Sequence, residues 1–111
     1  MEFGLNEDQK LSDQSLRSFL ADTMPLAEIC RVAESRSDFD DKLWTGLSAL
    51  GLPGLLVDEA HGGAGLGMMD AAVVVEAMGY GAAPMPFIGA CVMAPLAIAL
   101  AGSDDQRDTW L

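Results

Sequence analysis

The stretch LWTGLSALGLPGLLVDEAHGGAGLG, residues 43–67, decides how this chain is read. Leu43, Trp44, Leu47 and Leu50 recur at helical spacing, and Gly51 stands where such a helix would end. LPGLLV, residues 52–57, is expected to be extended or irregular, with Pro53 and Gly54 weakening any strand. EAHGGAGLG, residues 59–67, then places four glycines in nine residues just ahead of a helical pattern. Glycine-rich turns in that position often cradle phosphates, so the chemistry has to be tested before the geometry is accepted.

The phosphate reading fails on residue type. A Walker A loop needs a terminal G-K-[ST], and HGGAGLGM has no lysine to reach a phosphate. The dinucleotide pattern G-x-G-x-x-G fails because Asp70 stands where the third glycine would follow Gly65 and Gly67. Free amides at the next helix start could still hold an anion, but a carboxylate in the first turn opposes one. His61 is the single histidine and, with Glu59 nearby, does not amount to a closed zinc site, which needs about four ligands. The adjacent pairs Asp58/Glu59 and Asp40/Asp41 read as solvated or capping carboxylates. The run is therefore expected to be a structural corner whose glycines allow left-handed backbone.

Working outward, Asn6 and Gln9 form a capping-box signature for a helix running to about Ala21, with Leu16, Phe19 and Leu20 near one side. Pro25 opens a second helix, with Leu26, Ile29, Cys30 and Ala33 as its apolar stripe. Ser37 and Asp40 predict a cap for the Leu43 helix. Downstream, a helix from Met68 or Met69 to about Gly79 has Met68, Ala71, Val75 and Met78 on one side. Val73 and Val74 make its other sides apolar too. FIGACVMAPLAIALA, residues 87–101, is a further helix that Pro95 should kink or split. Ser103 and Gln106 cap a last helix, and Trp110 reads as an anchor without a mate. The fold expected is all-α, a small bundle of five or six mostly antiparallel helices in one domain, residues 1–111.

Composition narrows the partners. Seventeen acidic against six basic residues give a net charge of −11, which disfavours nucleic acid and anionic membrane surfaces. The 26 residues from Ala77 to Gly102 carry no charge. That run is long enough to span a bilayer, but it holds three prolines and lacks flanking Lys/Arg anchors, so no transmembrane span is expected. Between Gly62 and Ala101 only Asp70 and Glu76 are charged, which predicts a covering surface supplied from outside this chain. Cys30 and Cys91 read as buried thiols. No basic leader opens the chain, and that missing targeting feature, together with the resemblance that follows, is the basis for expecting a cytoplasmic location.

Several ordered motifs together resemble the N-terminal helical domain of acyl-CoA dehydrogenases. The family's corner, L-G then G-L-x-G-L-x-V-P-E-x-x-G-G-x-G, is matched by Leu50-Gly51, Gly54-Leu55, Val57, Glu59, Gly62-Gly63 and Gly65. Asp58 replaces the usual proline and His61 a frequent tyrosine. AAVVVEAMGYGAAPMPF (residues 71–87), the opening LNEDQKLSDQSLRSFLAD (residues 5–22) and Gly102-Ser103-Asp104-Asp105-Gln106 extend the likeness over almost the whole chain. The resemblance implies a parent enzyme with FAD, a middle β-domain and a C-terminal helical bundle. Such enzymes oxidise the Cα–Cβ bond of an acyl thioester: a glutamate removes the α proton and a β hydride passes to the flavin. It implies no catalytic, flavin-binding or metal residue in residues 1–111. It gives Glu59 a corner role, and it places Met85, Phe87 and Ile88 on the substrate pocket wall. The partners implied are acyl-CoA, the remaining domains or a partner chain, and an oligomeric parent. A noncatalytic helical interaction partner or structural subunit is the alternative class.

Overall fold

The computed structural model describes residues 3–35 and 40–111, and among these it contains six α-helices and no strand. They are α1 (Glu7–Thr23), α2 (Leu26–Glu34), α3 (Asp41–Ala49), α4 (Met68–Tyr80), α5 (Ala94–Ala101) and α6 (Asp104–Trp110). Short 3₁₀ turns occupy Leu52–Gly54 and Glu59–His61, and a π-helical segment, Ile88–Met93, runs directly into α5. No helix among the described residues is long and apolar enough to cross a membrane.

Local chemistry sets the ends. Asn6 Oδ1 accepts from Gln9 N at 2.8 Å while Asn6 N donates to Gln9 Oε1 at 3.1 Å, closing the capping box of α1. Ser103 and Gln106 repeat it on α6. Asp40 caps α3 by accepting from Leu43 N; its expected companion Ser37 lies outside the described residues.

The core joins Leu16 and Leu20 of α1, Leu43 and Leu47 of α3, and Ala71, Val74, Ala77 and Met78 of α4 with Phe87 and Cys91. α1 lies along α4, and their contacts pair in order. Gln9 Nε2 donates to Asp70 Oδ1 at 3.3 Å, Arg17 reaches Glu76 and stacks on the Tyr80 ring at 4.5 Å, and Leu20 abuts Gly81. The two helices therefore run parallel. Short connections favour antiparallel packing only between consecutive helices, and two helices and the glycine corner separate this pair.

Three local expectations are resolved by the structure. Of extended or irregular, LPGLLV is irregular: Gly51 takes φ +79°, Pro53 sits at the start of a 3₁₀ turn, and Leu55 is right-handed helical. On α2, Val32 is buried and Ile29 partly so, whereas Leu26 and Cys30 are exposed. These residues share one broad apolar side, and packing buries only its Ile29–Val32 edge. The helical run holding Pro95 is divided just before the proline, where the π segment gives way to α5. The π turns just before the proline, where Ala94 N donates to Gly89 O, relieve the clash a proline ring makes with the carbonyl four residues earlier.

Candidate functional site

The glycine corner is a self-contained hydrogen-bonded unit. Gly63 N donates to Asp58 O, Ala64 N to Gly54 O, Gly65 N to Val57 O and Leu66 N to Leu55 O, all within 2.8–3.0 Å. Gly62 and Gly65 lie at φ +83° and +64°. A Cβ on Gly63 would press into the Val57 carbonyl, 2.5 Å from its carbon. Asp70 Oδ2 accepts from Gly67 N at 3.1 Å, so this protein's own carboxylate fills the anion position at the start of α4. The amides of Gly62, Gly63, Ala64, Gly65 and Gly67 are thus committed within the chain, and with a carboxylate at the start of α4 and no lysine in the corner these residues do not by themselves fit a flavin nucleotide.

The corner sends α4 across the core, and the far end of α4 shapes a depression of about 400 Å³. α4 stops in a Schellman arrangement: Ala83 N donates to Met78 O and Ala82 N to Gly79 O. The left-handed residue that this turn requires is Ala82, at φ +48°, although Gly81 stands beside it. The chain then runs through Pro84 and Pro86 into the π segment. Val75, Met78 and Gly79 from α4 face Ala83, Met85, Phe87 and Ile88 across the depression. No charged side chain lines it, and its volume falls in the range of small-molecule pockets.

Met85, Phe87 and Ile88 are therefore brought together, but they are not equivalent. Phe87 is 4% exposed and belongs to the core. Ile88 is 52% exposed and offers its side chain outward. Met85 is partly buried between them. Val75 and Met78 complete the wall; their shared side of the helix was visible in the sequence, but its meeting with residues 82–89 was not.

A second grouping lies at the other end of the corner. His61 Nδ1 is 2.6 Å from Asp58 Oδ1, and its Nε2 is 3.2 Å from Asp108 Oδ1 on α6. Asp58 also accepts from His61 N, capping the 3₁₀ turn. The hydrogen bond to Asp58 raises the His61 pKa above 6.5; desolvation opposes this, and Asp108 adds to it. The same bond holds the Asp58 carboxyl below its ordinary 3.8. Among the described residues, no group of three or more His, Cys, Asp or Glu side chains could hold a metal ion. Of the cysteines, Cys91 is buried and burial raises its pKa, while Cys30 is exposed, contrary to the buried-thiol expectation.

Known proteins share this arrangement of sequence. The family model described as acyl-CoA dehydrogenase, N-terminal domain, matches residues 6–111. Acyl-CoA dehydrogenase IpdE2 of Mycobacterium tuberculosis (strain ATCC 25618 / H37Rv) is 30% identical over 102 residues, covering 91% of this chain and 32% of that protein. Acyl-CoA dehydrogenase FadE27 of the same organism is 32% identical over 72 residues, 65% of this chain and 19% of its own length. IpdE2 of Mycolicibacterium smegmatis (strain ATCC 700084 / mc(2)155) is 29% identical over 86 residues, 77% of this chain and 28% of that protein. The chain thus spans between about a fifth and a third of the length of these relatives. No solved structure matches it.

Proposed function

Because this chain belongs to the acyl-CoA dehydrogenase family through its N-terminal domain, we propose that it is the helical part of an FAD-dependent enzyme that oxidises the Cα–Cβ bond of an acyl thioester. In this reading the flavin supplies the electron chemistry when bound, held by residues outside this chain. What this chain contributes is one apolar wall of the acyl pocket, together with an interface to the remaining domains or a partner chain.

The observation that carries the reading is the uncharged depression between the end of α4 and the π segment. Its side chains offer an acyl group dispersion and desolvation but no proton transfer. Burial of each methylene there is worth about 0.8 kcal/mol, so the wall contributes binding energy and excludes water. Met85 and Ile88 act directly on the acyl group, and Phe87 holds the wall in place from the core. Glu59 and Glu76 are not offered as bases: Glu59 packs by Gly65 in the corner and Glu76 pairs with Arg17.

The exposed apolar side chains Leu66, Met68, Met69, Met93 and Leu100 support the interface role. The test is kinetic. In the flavin-loaded enzyme containing this chain, Ile88→Asp should raise KM for acyl-CoA at least tenfold, because it places a carboxylate on an apolar wall. Asp22→Asn, an exposed change on α1, should leave KM unaltered. An unchanged KM in the Ile88 variant would remove this wall from the acyl pocket.

A further inference from the structure

We propose that His61 is a proton-operated clasp that fixes α6 to the glycine corner, closed when the imidazole is doubly protonated and open at α6 when it is neutral. The geometry is the starting point. Both ring nitrogens face a carboxylate oxygen, Asp58 Oδ1 on one side and Asp108 Oδ1 on the other. A carboxylate only accepts, so both contacts are hydrogen bonds only if both nitrogens carry protons. A neutral ring has one donor and one lone pair, and the lone pair must then face an anionic oxygen.

The two contacts do not fail equally. The Asp58 contact is the shorter at 2.6 Å, spans three residues, and is backed by Asp58 accepting from His61 N. The Asp108 contact is 3.2 Å and joins segments 47 residues apart. The single proton of the neutral ring therefore stays on Nδ1, and the bond to α6 is the one lost.

The electrostatic surroundings are few. From α6, Asp108 faces the ring, and Arg107, paired with Asp104 at 3.1 Å, acts on Asp58. The cleft beside His61 is also lined by Trp44 from α3 and by Ala90, Ala94 and Ile98 from the π segment and α5, whose side chains do not titrate, and by Leu111, which brings the terminal carboxylate of the 111-residue chain to the same cleft. Trp110 lines the same cleft, so the clasp governs how the end of α6 is seated.

The sign follows from the direction of each shift. His61 is raised, so its contribution is complete below pH 6.5 and disappears as pH rises through the higher folded value. Asp58 is lowered, so its contribution is present above 3.8 and is lost as pH falls through its folded value. The contact with α6 therefore opens as pH rises through the folded His61 value, while the Asp58 bond is governed at the acid end by its own lowered value.

His61 is the sole histidine, so its ring proton resonances report the titration without ambiguity. NMR on the 111-residue chain should show a midpoint above 6.5. The hydrogen-exchange protection of the α6 amides should fall at least threefold through that midpoint, while α1 protection holds steady. Asp108→Asn should lower the midpoint and make α6 protection independent of pH across the range, with unchanged circular dichroism confirming the fold. A midpoint at or below 6.5, or α6 protection that does not follow the wild-type titration, overturns the clasp. The wild-type measurement decides even if the variant fails to fold.

Discussion

Replacing Gly63 with alanine probes the corner more sharply than any other single change. The added Cβ would sit 2.5 Å from the Val57 carbonyl carbon and also against its oxygen, which is backbone and has no rotamer to give way. The Val57 carbonyl accepts from Gly65 N at 2.8 Å, and Gly63 N itself donates to Asp58 O at 2.9 Å. Moving either side of the corner puts both bonds at risk. Two hydrogen bonds at about 1 kcal/mol each, with overpacking of about 1–3 kcal/mol, place the cost at roughly 3–5 kcal/mol. Neighbouring Gly62 is the control. Its φ of +83° strains an alanine, but nothing lies within 4 Å of the added carbon, so Gly62→Ala should cost only about 1–2 kcal/mol. Urea unfolding followed by circular dichroism gives both numbers. If Gly63→Ala is no more damaging than Gly62→Ala, the close approach is not what selects glycine there.

Four other changes separate the roles of nearby residues. Ala82→Gly should leave stability unchanged or raise it by up to about 1 kcal/mol, since glycine relieves the left-handed φ of +48° at some cost in unfolded-state entropy; thermal denaturation reads the sign. Asp70→Ala removes the acceptor for Gly67 N and the tie to Gln9 and should cost about 1–2 kcal/mol in urea unfolding. Phe87→Ala should cost about 3–5 kcal/mol because the ring is buried in the core. Ile88→Ala, half-exposed at the pocket, should change stability by less than about 1 kcal/mol while weakening acyl-CoA binding severalfold.

What the sequence made legible is what is local. The boxes at Asn6/Gln9 and Ser103/Gln106 are three-residue patterns, and both form as written. Leu43 and Leu47 are fully buried, as their helical spacing required, whereas Leu50 at the end of the same stripe is exposed. The corner's failure as a phosphate loop also followed from residue type, and Asp70 shows why: a carboxylate of the chain already occupies the anion position. Features set by distant contacts were not legible. Periodicity on α2 offered Leu26 and Cys30, but packing selected Ile29 and Val32. The π segment answers a steric demand from Pro95 that a one-residue count does not encode. His61 looked isolated because its second carboxylate is 47 residues away. The depression was half legible: Met85, Phe87 and Ile88 came from the family resemblance, and their meeting with Val75 and Met78 came only with the fold.

The central claim is that the wall formed by the end of α4 and the π segment contacts the acyl group of a thioester substrate. An acyl-CoA carrying a photoactivated diazirine on its acyl chain, bound to the flavin-loaded enzyme that contains this chain, tests it most directly. After irradiation and peptide mapping, the account predicts label within residues 75–89, concentrated at Met85 and Ile88 and displaced by unlabelled acyl-CoA. Displaceable label found only outside those residues would contradict it.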